Sequence, residues 1–163
     1  NPLSIAEDNR DCIQTMALTH EEVYNSSDIS SVNLKSFLTE GMNNLFNNYT
    51  NGYINTHLDI EDVEVEMKKS IPLGLLVNEV ALNTIKYAFP NKDKGNFYLT
   101  LKVKDEDIIL KAYDDGIGLP EDVDFYHDKS LGFLIINSLT NQLEAELTLL
   151  DVKGFGIELK FKK

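Results

Sequence analysis

The stretch LGLLVNEVALNTIKYAFP, residues 73–90, decides the fold that this sequence predicts. Its apolar residues recur at the spacing of one helix face, and Ser70 and Pro72 just before it supply a capping residue and a proline tolerated in a first turn. We therefore predict a long helix from Leu73 to about Phe89, which the final proline of the stretch ends. The arc that faces the core consists of Leu76, Val77, Val80, Ala81, Thr84 and Ala88.

The polar residues of this helix lie on a different, narrow stripe. Glu79, Asn83 and Lys86 line up a carboxylate, an amide and an ammonium group. A solvated helix face with a contact between the glutamate and the lysine gives the same pattern, so the stripe alone does not decide between a structural and a functional role.

Strands are predicted on both sides of the helix. An alternating pattern with a turn near Asp105 predicts a hairpin after it, and alternation at Val63, Val65 and Met67 predicts a strand before it. The other predicted strands are residues 54–60, 145–149 and 157–161, and the last predicted helix is residues 132–142. The predicted fold is an α/β two-layer sandwich, with helices on one face of a mixed, mostly antiparallel sheet.

The first fifty residues predict two further helices. The first includes Cys12 and ends at a polar break near Asn25. The second runs from Leu34 to about Tyr49, with Asn33 as its N-cap.

Length and charge limit the function classes. The chain has 163 residues, enough for one globular domain, and its 15 basic and 27 acidic residues give a formal charge of −12. Such a charge repels a phosphate backbone, so we expect neither nucleic acid nor an anionic membrane as a partner. No stretch approaches the roughly 18 apolar residues of a membrane span, which makes a cytoplasmic domain the default expectation. The single cysteine cannot form an internal disulfide.

Asp114 is an unusual residue in its strand. Counting in twos from Ile108 places this carboxylate on the same face as three apolar residues. A buried carboxylate needs hydrogen-bond partners, and one candidate is a ligand amine that donates to it. The alternative is that the strand has already frayed at Tyr113 and that Asp114 only begins a turn.

Three glycines follow Asp114. Gly116 and Gly118 allow a flat ligand to approach the backbone, and Gly132 opens a helix whose free N–H groups can hold a phosphate. Residues 115–129 between them are acidic and glycine-rich, so we expect a mobile loop that does not easily bury a hydrophobic face. Each glycine is a weak signal by itself.

Four runs in order give a more specific signal. They are LLVNEVALNTIKYAFP (75–90), DDGIGLP (114–120), KSLGF (129–133) and KGFGIELKF (153–161). Together they resemble the N, G1, G2 and G3 boxes of the ATP-binding domain that sensor histidine kinases share with their gyrase, Hsp90 and MutL relatives, and the resemblance spans about residues 55–163. It implies a Bergerat-type ATP-binding fold. The strongest likeness is to histidine kinases with NExxxNAxKYAFP and SLGLxLV-type runs.

The amino-terminal stretch QTMALTHEEVYNSSDISSVNLKSFL, residues 14–38, resembles the segment that links the phosphoacceptor helix to the catalytic domain in that group. The resemblance implies that residues 1–50 are a helical linker remnant from the dimerisation and phosphoacceptor region. Residues 51–163 would then be the ATP-binding catalytic domain.

The resemblance assigns roles to the helix stripe. It implies that Glu79 is the catalytic acid that orients or deprotonates the nucleophile, and that the Asn83 amide oxygen ligates Mg²⁺. It implies that Lys86 meets phosphate oxygens and that Tyr87 lies near the adenine and ribose.

The resemblance also assigns roles around the glycines. Asp114 would accept a hydrogen bond from the adenine amine, and Gly116 and Gly118 would give the base room. Leu131 and Gly132 would form a hinge at the phosphates. Residues 119–130 would form the ATP lid.

The sequence departs from the family pattern at three places. Asp115 stands where the family commonly has asparagine and brings a second negative charge near the nucleotide. Phe155 stands where a small threonine is usual, so we expect a contact to a water linked to the adenine to be missing or altered. The G2 box has the single glycine Gly132, which is ordinary in the subgroup.

None of the histidines lies in the context of a phosphoacceptor. His20 matches a non-acceptor position in the linker, and neither His57 nor His127 follows the basic acceptor pattern, which normally lies upstream of where this chain starts. We therefore expect the chain to be a fragment without its acceptor.

The leading hypothesis is that this domain transfers the γ-phosphate of Mg-ATP to a histidine on a dimerisation helix outside this chain, for two-component signalling. The implied partners are ATP, the histidine-bearing dimerisation domain of the same protein and the receiver domain of a response regulator, with a homodimer as the full-length form. Two alternatives remain open: a serine kinase of the anti-sigma-factor type, and a non-catalytic module that senses nucleotide.

Overall fold

The computed structural model describes residues 31–128 and 130–163. The predicted helix around Cys12, the break after it and His20 lie outside these residues. The described elements are β1 (Ser31–Asn33), α1 (Leu34–Tyr49), β2 (Ile54–Ile60), β3 (Glu64–Glu66), α2 (Met67–Asn83), a π-helical turn (Thr84–Ala88), β4 (Gly95–Lys104), β5 (Asp107–Asp114), α3 (Leu131–Gln142), β6 (Glu146–Leu149) and β7 (Gly156–Lys162). Among the helices described, none is both long and apolar enough to cross a membrane.

A five-stranded sheet in the order β2-β4-β5-β7-β6 forms one layer. β2 pairs with β4 in parallel, and the other three pairings are antiparallel. β1 and β3 form a separate two-stranded antiparallel sheet. The predicted fold class, a mixed and mostly antiparallel sheet with helices on one face, is confirmed.

α1 has the predicted bounds and the predicted cap. The side chain of Asn33 accepts a hydrogen bond from the Ser36 backbone N–H at 3.0 Å, which satisfies one of the free donors at the start of the helix. Its apolar face shares one hydrophobic core with α2 and the sheet. The buried residues of that face are Leu34, Phe37, Leu38, Met42, Leu45 and Phe46. The domain boundary at residue 50 stays a prediction.

The prediction for the start of α2 is wrong by six residues. The helix begins at Met67 instead of Leu73, so Met67 is not part of a strand and Pro72 lies inside the helix. β3 ends at Glu66, which pairs with Ser31, and the helix begins at the next residue. Ser70 is not a cap: its buried hydroxyl donates to the carbonyl of Glu66 at 3.0 Å, a bond to the preceding turn that a serine makes inside a helix.

The predicted hairpin is confirmed, and its second strand includes Asp114. β4 and β5 pair in a continuous register that ends with Phe97 opposite Asp114. The strand therefore does not fray at Tyr113, and the alternation places Asp114 on the buried face, where it is 2% exposed.

The loop after β5 departs from its prediction at one residue. Phe125 is 1% exposed and lies with its ring centroid 4.8 Å from that of Phe133 and 5.5 Å from that of Phe155. The acidic segment thus contributes one aromatic side chain to the core, which fixes the middle of the loop beside α3 and β7.

Candidate nucleotide site

A cavity of about 370 Å³ lies between α2, the end of β5, the following loop and the start of α3. It brings together eight of the nine residues that the sequence predicts for the site. They are Glu79, Asn83, Lys86, Tyr87, Asp114, Gly118, Leu131 and Gly132. The ninth, Gly116, lies behind the cavity wall, where it packs against Ala88.

The polar stripe of α2 faces this cavity. Glu79 is only 7% exposed, so the alternative of a solvated helix face does not hold for this carboxylate. Asn83 is the last residue of the α-helix, and the π-helical turn that follows carries Lys86 and Tyr87. Tyr87 lines the cavity while its side chain remains 55% exposed, which places it at the rim. π-helical turns of this kind are frequent at functional sites.

The Asp114 carboxylate is held by three protein donors. Its Oδ1 accepts hydrogen bonds from the backbone N–H groups of Gly116 at 2.9 Å and Phe155 at 3.2 Å. Its Oδ2 accepts from the hydroxyl of Thr84 at 2.8 Å. These bonds offset the cost of burying a carboxylate and fix its orientation at the cavity wall.

Gly116 is required by a close backbone approach. A Cβ at this position would overlap the carbonyl group and the side chain of Ala88. The next residue, Ile117, donates its N–H to the same Ala88 carbonyl at 3.0 Å. Gly118 adopts a φ of +75°, a backbone angle that residues other than glycine rarely adopt. The loop can therefore join the end of the π-helical turn only with these glycines.

Gly154 and Thr84 are two residues near Asp114 that the sequence did not predict for the site. A Cβ on Gly154 would overlap Asp114 Oδ1 and the backbone of that residue. The sequence contained one signal for Gly154, which directly precedes Phe155, the residue that stands where the G3 box usually has threonine. Thr84 was visible only as a polar residue on an otherwise apolar arc.

The opposite end of the cavity contains space beside oxygen atoms. A Cβ on Gly132 would lie 3.5 Å from Asn83 Oδ1 and 3.6 Å from Glu79 Oε2, so the missing side chain leaves room next to both. The buried Asn83 amide nitrogen has no hydrogen-bond partner within the part of the chain that the structure describes. α3 begins here with Leu131, and its first N–H groups lie at the same end.

These features fit a magnesium ion that is carried by a nucleotide. Amide and carboxylate oxygens are the ligand types that Mg²⁺ prefers, and this ion usually takes only one or two protein ligands when phosphates supply others. Residues 31–128 and 130–163 contain no cluster of three or more His, Cys, Asp or Glu side chains that could hold a metal by themselves. An ion at this site would therefore depend on Asn83 together with the ligand.

Asp115 does not add its charge to the cavity. Its carboxylate accepts hydrogen bonds from the Asn96 backbone N–H at 2.8 Å and from the Asn96 side-chain amide at 2.9 Å. Burial acts to raise the pKa of Asp115, but the hydrogen bonds from Asn96 prevail and hold that pKa below its usual value. The second negative charge that the sequence led us to expect near the nucleotide therefore lies against Asn96 of β4.

The two described histidines lie away from the cavity. His57 stacks on Tyr98 on the sheet, with ring centroids 4.6 Å apart, and its Nε2 lies 2.9 Å from Asn96 Oδ1. His127 lies in the exposed part of the loop, and its Nδ1 is 2.7 Å from Asp124 Oδ2. Neither lines the cavity.

Comparisons with known sequences give a family match and a curated relative. A family model described as histidine kinase matches residues 3–49. The Blue-light-activated histidine kinase 2 of Erythrobacter litoralis is 34% identical over 97 residues, which are 59% of this chain and 28% of that protein. The chain thus spans little more than a quarter of the length of this curated relative.

Histidine kinases are among the solved structures that have the same fold. The Erythrobacter litoralis EL346 blue-light activated histidine kinase superposes with a TM-score of 0.83 at 24% identity, over 96% of this chain and 54% of that one. The ATP binding domain of PrrB from Mycobacterium tuberculosis gives a TM-score of 0.65 at 14% identity, over 81% of this chain and 95% of that one. The resemblance of this chain to the histidine kinases is confirmed, and its fold is that of their ATP-binding domains.

Proposed function

We propose that this chain is the ATP-binding catalytic domain of a sensor histidine kinase, which transfers the γ-phosphate of Mg-ATP to a histidine on a dimerisation helix outside this chain. The observation that carries the proposal is the buried Asp114 carboxylate, which lines a cavity whose other end is flanked by Glu79 and Asn83. One end of the cavity thus offers an acceptor for a base amine, and the other end offers oxygen ligands for a metal.

The base binds at the Asp114 end. Asp114 Oδ2 accepts a hydrogen bond from the adenine amine, which a guanine with a carbonyl at that position cannot donate. Gly118 keeps a side chain away from the plane of the base, Gly116 lets the loop pack against Ala88 behind it, and the Tyr87 ring at the rim packs against the adenine and ribose.

The phosphates bind at the other end. Lys86 neutralises phosphate oxygens, and Gly132 lets the first N–H groups of α3 approach them. Asn83 holds the Mg²⁺ ion through its amide oxygen. When bound, Mg²⁺ spreads the negative charge that develops on the phosphates during transfer. These local contacts bind a triphosphate to a protein with a formal charge of −12.

Glu79 orients or deprotonates the nucleophilic histidine nitrogen, which reaches the γ-phosphate from outside the chain. Residues 119–130 act as a lid, and Leu131 and Gly132 are its hinge, so that lid closure excludes water from the transfer. Ordering of the lid on nucleotide binding remains a prediction of the sequence.

The partners follow from this reaction. The accepting histidine lies on a dimerisation domain of the same protein, which is active as a homodimer in the cytoplasm. The phosphoryl group then passes from this histidine to the receiver domain of a response regulator. The family match over residues 3–49 supports a histidine acceptor over the serine kinase alternative.

A nucleotide titration tests the proposal. The 163-residue chain is expected to bind ATP in a Mg²⁺-dependent manner, measured by calorimetry. Asp114→Asn is expected to lower the affinity about a hundredfold, because its amide N–H groups would face the amine and the Thr84 hydroxyl as donors.

Asp115→Asn is the matched control, because this neighbouring carboxylate binds Asn96 and does not line the cavity. Binding without Mg²⁺ dependence, or equal affinities for the wild type and Asp114→Asn, contradicts the proposal. Histidine phosphorylation by the full-length protein separates the kinase from a module that only senses ATP.

A further inference from the structure

Thr84 has a buried hydroxyl next to the cavity that the proposed mechanism does not use. The residue is 1% exposed and starts the π-helical turn, on the apolar arc that faces the core. Its Oγ1 lies 2.8 Å from Asp114 Oδ2 and 3.4 Å from the Val80 carbonyl oxygen. The shorter and charged acceptor is the stronger one, so the single hydroxyl proton is donated to Asp114.

The hydrogen bonds to Asp114 leave one free acceptor position. A carboxylate oxygen accepts about two hydrogen bonds. Within residues 31–128 and 130–163, Oδ1 accepts two, from the N–H groups of Gly116 and Phe155, whereas Oδ2 accepts one, from Thr84. The remaining acceptor position of Asp114 is therefore on Oδ2, beside the Thr84 hydroxyl.

The sequence gives a second reason to single out Thr84. The motif that residues 78–90 resemble, NExxxNAxKYAFP, has alanine where this chain has Thr84. The G3 box, in turn, has Phe155 in place of a threonine. The aromatic Phe155 side chain can offer no hydroxyl, and it is the Phe155 backbone N–H that reaches the Asp114 carboxylate. The hydroxyl at the carboxylate comes from the helix in this chain and not from the last hairpin.

We propose that Thr84 is a positioning residue for base selection: its hydroxyl fixes Asp114 Oδ2 so that the remaining acceptor position receives the exocyclic amine of the base. This inference rests on the proposed function and deepens it. Thr84 does not line the cavity, so it acts through Asp114 and not by touching the ligand.

The test compares two nucleotides. ATP carries the exocyclic amine, and purine riboside triphosphate lacks it, so the ratio of their affinities measures the bond to Asp114. Calorimetry with the 163-residue chain and Mg²⁺ is expected to show that Thr84→Val, which keeps the shape and removes the hydroxyl, lowers the ATP affinity about tenfold. The affinity for the analogue is expected to change less, so the ratio falls, and Thr84→Ser is expected to restore it.

Thr84→Ala provides a second variant without the hydroxyl if Thr84→Val does not fold, since the related motif carries alanine at this position. A merely structural role would lower both affinities together and leave the ratio unchanged, and that result overturns the inference. If the wild type binds ATP and the Thr84 variant has the same affinity ratio as the wild type, only the role of Thr84 is refuted. A wild type that binds neither nucleotide refutes the proposed function and this inference with it.

Discussion

The two ends of the cavity differ in how far the protein alone completes their hydrogen bonds. At the end proposed for the base, Asp114 is 2% exposed and accepts three hydrogen bonds from donors in the described part of the chain. At the end proposed for the phosphates, the buried Asn83 amide nitrogen has no partner among the residues described, and Gly132 leaves space beside the Asn83 amide oxygen.

The difference indicates which interactions the ligand must supply. The base end is preorganised, so its contacts cost little reorganisation when a base binds. The phosphate end has an unsatisfied polar group, which is costly in a folded protein unless a ligand, ion or water pairs with it. Substitutions at the base end should therefore affect folding and binding together, whereas those at the phosphate end should affect binding alone.

The largest effect is expected from Gly154→Ala, at the base end. The added methyl group would overlap Asp114 Oδ1 and its backbone, so the carboxylate or the turn must shift. Overpacking of this kind costs about 1–3 kcal/mol of unfolding free energy, measured by urea denaturation. Because Asp114 moves as well, we expect the affinity for Mg-ATP to fall by roughly the same factor as for a lost charged hydrogen bond, about a hundredfold.

Gly41→Ala is the matched control for this substitution. Gly41 lies within α1, and a Cβ there would meet no atom of the described residues within 4 Å apart from the backbone of its own helix. Alanine should therefore raise the unfolding free energy by about 0.5–1 kcal/mol and leave nucleotide affinity unchanged. If Gly154→Ala behaved like Gly41→Ala, the close packing at the base end would not matter for binding.

An intermediate effect is expected at the phosphate end. Asn83→Ala should weaken Mg²⁺-dependent ATP binding about tenfold without lowering the unfolding free energy, since the amide nitrogen makes no hydrogen bond to any described residue that would be lost. Glu79→Ala should mainly slow phosphoryl transfer, measured with the full-length kinase and labelled ATP. Equal effects of both substitutions on binding, with no effect on transfer, would contradict the assigned roles.

The periodic parts of this molecule could be predicted from the sequence. The apolar spacing gave α1 with its bounds, the hairpin and the polar stripe of α2, because in these elements each residue's face is set by its position in the period. The burial of Asp114 followed from the same counting in twos along β5. Patterns of this kind indicate which side chains of a helix or strand are buried. The burial of a polar side chain, Asp114, is what indicated a binding site in the sequence.

Features that depend on tertiary contacts could not be predicted in this way. The start of α2 follows directly on β3, a strand formed by its pairing with β1, and this tertiary contact is not contained in the local sequence at Pro72. Phe125 is one aromatic residue in a polar loop, so no period indicates its burial. Gly154 resembles any turn glycine until the chain brings it against Asp114.

The smallest effect is expected from Asp115→Asn, just outside the base end. The pKa of Asp115 is held below its usual value, chiefly by Asn96 acting against burial, so the carboxylate stabilises the fold above its ordinary pKa and loses this contribution as the pH falls through its lowered pKa. Asparagine should therefore reduce the unfolding free energy by up to about 1 kcal/mol at neutral pH. As the pH falls through this lowered pKa, the difference between the two proteins should shrink in urea denaturation. A difference that persists in acid would mean that the shape of the Asn96 contact, and not its charge, stabilises this edge of the site.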